Sequence, residues 1–122
     1  MNVAPVKPLI GSEALERVDI RVGTIVQVAE VPQSARLVRL TVDLGDHQRT
    51  IIAAVKQERQ DSRGLEGRQA LFVVNLAPRT IMGQVSEGML LDIGYSDISY
   101  SDGVVPVLAV PESPVPNGTR AG

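Results

Sequence analysis

Residues Val18 to Asp46 read VDIRVGTIVQVAEVPQSARLVRLTVDLGD, and this stretch decides the fold. Within it Ile20, Val22, Thr24, Val26 and Val28 alternate with Arg21, Gly23, Ile25, Gln27 and Ala29. A period of two belongs to a strand, and Gly23 is the expected place for a bend or bulge. Pro32-Gln33-Ser34 then breaks the pairing. Val38, Leu40, Val42 and Leu44 alternate with Arg39, Thr41, Asp43 and Gly45, which predicts a half-buried strand with a polar outer face. Gly45-Asp46-His47 is a hairpin turn, after which the chain returns through Arg49 to Val55.

Outward from this core the pattern stays that of short strands. Residues 1–11, with Pro5 and Pro8, read as a flexible lead-in, and no basic region followed by a long apolar run suggests a secretory signal. Ser12 is expected to cap a short helix over Glu13 to Arg17. Lys56 to Gly67 is polar and reads as a loop or short helix. Ala70 to Leu76 is nearly continuous apolar sequence and predicts the most buried strand, interrupted by Asn75 and ended by Pro78. Gly88 to Ile93 reads as the fifth strand and Gly94 to Gly103 as turn-rich. Val104 to Val110 is a further strand weakened by Pro106, and the tail from Pro111 to Gly122 is expected to run irregularly over the surface. These features predict an all-β protein: a five-stranded OB-fold Greek-key barrel with a short N-terminal helix and a C-terminal β extension. An immunoglobulin-like sandwich is the structural alternative, but the chain has no Cys…Trp…Cys core and no tyrosine corner.

Composition narrows the function. A chain of 122 residues is one ordinary domain. It has no cysteine, which removes disulfides, thiolate metal sites and cysteine nucleophiles and fits a reducing, cytoplasmic compartment. His47 is the single histidine and sits in a hairpin tip, so a zinc site would need three carboxylates. There is no G-x-S-x-G, P-loop or G-x-G-x-x-G motif. No catalytic residue, metal or cofactor is therefore expected, and no run approaches the ~18 apolar residues of a membrane span. The net charge is −2, yet it is unevenly spread: Arg17 to Arg79 carries ten Lys or Arg against seven acids, whereas the chain from Thr80 on carries five acids against Arg120 alone. Such asymmetry fits either a polyanion-facing surface or chance clustering on a solvated one.

A second block, NLAPRTIMGQVSEGMLL from Asn75 to Leu91, carries Asn-Leu, Pro-Arg, Met-Gly and Ser-Glu-Gly-Met-Leu-Leu in order. Together with Val18 to Asp46 it resembles the tRNA-binding OB domain found appended to methionyl- and some other aminoacyl-tRNA synthetases, in multisynthetase cofactors, and as free-standing structure-specific tRNA-binding proteins. The resemblance is strongest over residues 15–91 of a domain placed at 12–122. The extension 92–122 resembles that of the free-standing members and of the small secretion-associated chaperones of the same superfamily, and implies dimerisation. With no synthetase catalytic region in the chain, the free-standing type is the better match. The resemblance implies tRNA binding without catalysis, a homodimer, and an aminoacyl-tRNA synthetase as a possible partner. A peptide-binding export or folding chaperone on the same fold is the alternative.

Carried over position by position, the family's recognition surface falls on Asn75, Arg79, Met82, Ser86, Glu87 and Met89, with Arg36 where a Lys is usual and Arg21 in the Asp-Ile-Arg-Val-Gly block. The chemistry is suitable. Arginine forks match phosphates, Asn75 and Ser86 can hydrogen-bond ribose or base edges, and methionines offer soft apolar surface to unstacked bases. Structural roles compete with these: Asn75 can satisfy backbone groups at a strand end, Arg21 can pair with Asp19 or Asp43, and Met82 and Met89 can pack into the core. Arg79, beside a proline in a loop, has the fewest structural uses. Phe72, Tyr95 and Tyr100 are the only aromatics, so the platform on which sequence-tolerant single-strand binders stack bases is missing. Recognition of folded RNA by shape and backbone is expected instead. The chain departs from synthetase-appended members at Ala53-Ala54-Val55, where Ser-Gly-Ile is common, at Thr80, often basic, and at Glu87, often Gln. These changes lower the expected affinity for polyanions and keep the chaperone alternative open.

Overall fold

In the computed structural model, which describes residues 4–55, 61–94 and 107–122, β1 (Ile20–Glu30) organises the fold. Its first half pairs antiparallel with β4 (Gln69–Val73) and its second with β2 (Val38–Asp43). β2 pairs with β3 (Gln48–Ala53), and β4 with β7 (Met89–Leu90). The sheet order is therefore β3-β2-β1-β4-β7. It curls until β3 meets the segment leading into β7, where Glu87 N donates to Thr50 O at 2.8 Å. The result is a nearly closed antiparallel barrel of the OB kind. Ile25, Val38, Leu40, Val42, Ile51 and Phe72 fill its interior with no exposed surface. Truncating a buried phenylalanine such as Phe72 to alanine costs about 3–5 kcal/mol.

The alternation in β2 is as expected, with Val38, Leu40 and Val42 buried and Arg39 exposed. β1 differs. Gly23 stays in regular register opposite Ala70, and the irregularity falls between Ile25 and Gln27. Ile25 and Val28, three apart, thus share the core, while Val26 is left exposed. Gly23 is small for a packing reason. A Cβ there would sit 2.6 Å from Val42 Cγ1 and 2.9 Å from Leu44 Cδ2. The helix α1 (Ser12–Glu16) begins one residue early, so Ser12 lies inside it and makes no side-chain cap bond.

Two expectations are corrected further along. The stretch Arg79 to Ser86 is a hairpin rather than a loop, formed by β5 (Arg79–Ile81) and β6 (Gln84–Ser86) around Met82-Gly83. The fifth strand divides into β7 and β8 (Asp92–Ile93), and β8 pairs with β9 (Val107–Leu108). Between β3 and β4 a 3-10 turn occupies Ser62–Leu65, with Leu65 plugged into the core. The expected turn-rich stretch at 95–103, the start of the last strand at 104–106 and the loop residues 56–60 lie outside the described residues.

The tail is not irregular. Gly118 N donates to Val22 O at 2.7 Å, Val22 N to Thr119 O at 2.9 Å, and β10 (Arg120–Ala121) pairs with the start of β1. Thr24 Oγ1 donates to Asn117 Oδ1 at 2.8 Å, and Gln69 exchanges side-chain bonds with Val115 and Asn117. The tail also crosses the β2–β3 hairpin at a spot only glycines fit. A Cβ on Gly45 would lie 2.6 Å from Asn117 O, one on Gly118 would lie 2.5 Å from Leu44 O, and both residues have positive φ.

Candidate nucleic-acid interface

The seam of the barrel is closed by side chains rather than by a full ladder. Ile52 N donates to Ser86 Oγ and Thr50 N to Glu87 Oε1, each at 3.0 Å, so two amides of the β3 edge are met by hydroxyl and carboxylate. Ser86 Oγ in turn donates to Gly88 O at 3.0 Å. Ser86 is buried and its hydroxyl is engaged in both of these seam bonds, at the floor of a small pocket that Arg79, Ile81 and Met89 also line. Glu87 is exposed but engaged at one oxygen.

Above this seam stands the β5–β6 hairpin. Arg79, opposite Ser86 in its register, is exposed, and its side chain makes no hydrogen bond or ion pair among the described residues. It borders an open groove of about 600 Å³ whose walls include Lys7, Leu37, Ile52, Ala54, Ile81 and Met89. Met89 is 45% exposed and Met82 56% exposed, so neither is core. Met82 sits at the hairpin tip with φ of 49°, a left-handed conformation that a methionine adopts under strain. Arg36 lies in the β1–β2 loop, next to the groove residue Leu37. Ser34 Oγ fixes that loop by accepting from Arg36 N at 3.2 Å and Leu37 N at 2.9 Å.

A second cluster forms at the end of β1. Arg21 grips Asp19 with two bonds of 3.0 Å, and Arg120 Nε lies 3.5 Å from the same carboxylate. The hydrogen bonds from Arg21 hold Asp19 below the usual carboxylate range; partial burial opposes this, and the charges of Arg21 and Arg120 add to it. Asp19 raises Arg21 in return. Asn75 serves this cluster through its amide, accepting from Asp19 N at 2.8 Å and donating to Arg17 O at 2.7 Å. Of the residues expected at the site, the fold thus gathers Arg79, Met89, Ser86 and Glu87 along the seam, and Arg21 with Asn75 at the barrel end.

Arg49 joins the two. Its Nη1 donates to Val74 O and, at 3.2 Å, to Glu87 O, while its Nε donates to His47 Nε2 at 3.0 Å. His47 must then carry its proton on Nδ1, which donates to Asp46 Oδ1 at 2.6 Å. That bond is the leading cause of a lowered Asp46. Among the described residues no three His, Cys, Asp or Glu side chains are placed to hold a metal ion, and no helix is long and apolar enough to cross a membrane.

Residues 20–120, which contain the seam and Arg21, Asn75 and Arg120 of the second cluster, match the family model described as "Putative tRNA binding domain". The chain belongs to this tRNA-binding domain family. It is 37% identical over 118 residues to a methionine–tRNA ligase of Nitrosomonas europaea, covering 97% of this chain and 16% of that enzyme. The tRNA-binding domain thus spans only a small part of such ligases. Two solved structures superpose on most of it. A MetRS related protein from Pyrococcus horikoshii has a TM-score of 0.83 and 26% identity over 95% of this chain and 100% of the other. The chaperone CsaA of Bacillus anthracis has a TM-score of 0.78 and 28% identity over 94% and 100%.

Sequence reasoning missed Arg49 and Arg120 in this domain. Arg49 lies between Gln48 and Thr50 in the polar first half of its strand, and nothing local marks it as the residue that reaches two distant carbonyls. Arg120 lies in the tail expected to be irregular, and only the pairing of β10 with β1 brings it beside Arg21.

Proposed function

We propose that this protein binds tRNA without catalysing any reaction on it, recognising the folded shape and the phosphate backbone. The observation that carries the reading is Arg79: an exposed arginine whose side chain has no partner among the described residues, on a hairpin over a groove lined by Met89 and Ile81. A free guanidinium suits a phosphate, and the apolar wall beside it suits the face of an unstacked base. Arg36 and Lys7 border the same groove or adjoin its wall and extend the positive edge. Domain limits of 12–122, a cytoplasmic setting and an aminoacyl-tRNA synthetase as partner belong to the same proposal.

The proposal includes a homodimer. Ile93 and Val107 are opposite each other in the β8–β9 pair and both are exposed, as is Val110. Covering this apolar patch on the extension would release water from three large side chains. Light scattering at low concentration checks it, with twice the chain mass expected.

A second reading, peptide binding as in a chaperone, is favoured by one feature. Ile52, Ala53, Ala54, Leu90 and Met89 make the groove largely apolar. Titration with deacylated bulk tRNA at about 50 and 200 mM salt, with single-stranded RNA and an unfolded peptide as competitors, separates the two. Saturable binding that prefers tRNA and weakens with salt is expected. Peptide binding with no tRNA binding at low salt would transfer the groove to the second reading.

A further inference from the structure

Arg21 and Arg120 are direct cross-strand partners between β1 and β10. Like charges in such positions repel and are ordinarily destabilising. Here both reach one carboxylate: Arg21 through two bonds of 3.0 Å, and Arg120 through a single approach of 3.5 Å. Asp19 carries one charge against two and grips Arg21 the harder, while Asp46 also attracts Arg21 at longer range, so positive charge is left in excess at the outer end of the pair. The excess sits on Arg120, whose side chain is 65% exposed against 34% for Arg21.

The placement is rigid. Arg21 Nη1 also reaches Gly118 O at 3.5 Å, the backbone of Gly118 and Thr119 is bonded to Val22, and Ala121 pairs with Ile20, so the strand bearing Arg120 is docked on both sides of the pair. Asp19 is held by its own amide on Asn75 Oδ1 and by its carbonyl, which accepts from Val74 N at 2.9 Å. Glu16 lines the groove next to Arg120 but forms no ion pair with it. Two guanidiniums held side by side by the strand pairing, one saturated and one open, offer forked donors to a tetrahedral anion.

We propose that Arg120, seated beside Arg21 on Asp19, is a phosphate-binding point for the RNA backbone, separate from the groove beneath Arg79. This rests on the tRNA-binding reading above. It places part of the interface on the last strand of the chain.

The test compares Arg120→Gln, Arg120→Lys and Asp19→Asn with the wild type in tRNA titrations across about 50 to 200 mM salt. Arg120→Gln is expected to weaken binding about three- to tenfold at the low end and to reduce the slope of log K against log salt by about one. Arg120→Lys restores the slope, because it restores the charge. Asp19→Asn removes the competing anion and tightens binding about two- to fivefold. An unchanged slope in folded Arg120→Gln, with the wild type binding tRNA normally, overturns the phosphate assignment alone and leaves Arg120 as a neutralising partner of Asp19. A change in its light-scattering mass overturns the assignment in favour of a contact between copies. A wild type that binds no tRNA overturns both this and the parent reading.

Discussion

Asn75 Oδ1 accepts the backbone amide of Asp19 at 2.8 Å across 56 positions of sequence, and the same side chain donates to Arg17 O. One amide thereby ties the end of β4 to the entry of β1 and sets the height of the carboxylate on which Arg21 and Arg120 rest. Asn75→Ala should therefore cost about 0.5–1.5 kcal/mol in urea unfolding. It should also weaken tRNA binding by displacing the arginines. A variant with lowered stability and unchanged affinity would confine Asn75 to the fold.

Glu87 is expected to act as a seam residue whose charge opposes its ligand. The bond from Thr50 N needs an acceptor but not a charge, so Glu87→Gln should keep the melting temperature and raise tRNA affinity about twofold, the effect of one charge removed at ~10 Å in water. Glu87→Ala should lower the melting temperature. Calorimetry and tRNA titration of the pair separate closure from charge.

Met82 pays a local conformational cost at the hairpin tip, since both Met82 and Gly83 have positive φ. Met82→Asn suits that turn better and should stabilise the domain by about 0.5–1 kcal/mol in chemical denaturation. If the exposed thioether also meets RNA, the stabler variant will bind tRNA less well. Equal affinity would make Met82 a plain turn residue.

Arg79→Ala should leave the fold unchanged, because the side chain makes no hydrogen bond or ion pair among the described residues, and should weaken tRNA binding. Circular dichroism and the titration above check the two halves. Undiminished affinity in a folded variant would remove Arg79 from the interface.

The pH dependence follows from Asp19. Its folded carboxyl is lowered, chiefly by the hydrogen bonds from Arg21, so its contribution to stability is present above the ordinary carboxylate range near 4 and is lost as pH falls through the lower folded value. Asp19→Asn should lower stability at neutral pH, where that contribution is present, and flatten the acid limb of a stability–pH profile below about pH 4, where the wild type loses it. An acid limb as steep as that of the wild type would assign it to other carboxylates.

The period of two in Val38 to Leu44 was legible because one face of that strand is buried along its whole length, and burial imposes alternation. The β5–β6 hairpin was not. Its strands have three residues each, too few for a period, and Met82 is no turn signal. The bulge in β1 escaped for a related reason. Gly23 marked a place where β2 packs close, not a place where the chain bends. The tail was misjudged because its bonds come from Thr24 and Gln69, side chains more than 40 positions away.

By itself the sequence determined the barrel and its family, since alternating apolar positions and ordered motif blocks are local properties that survive without coordinates. Tertiary structure alone decided what each polar side chain is free to do. Arg21 is held by Asp19, Arg49 is turned onto two carbonyls, Ser86 is sealed beneath the seam, and Arg79 remains open. These fates depend on which unpaired backbone groups and charges closure of the barrel brings within about 3 Å, the reach of a hydrogen bond, and no local pattern encodes that meeting.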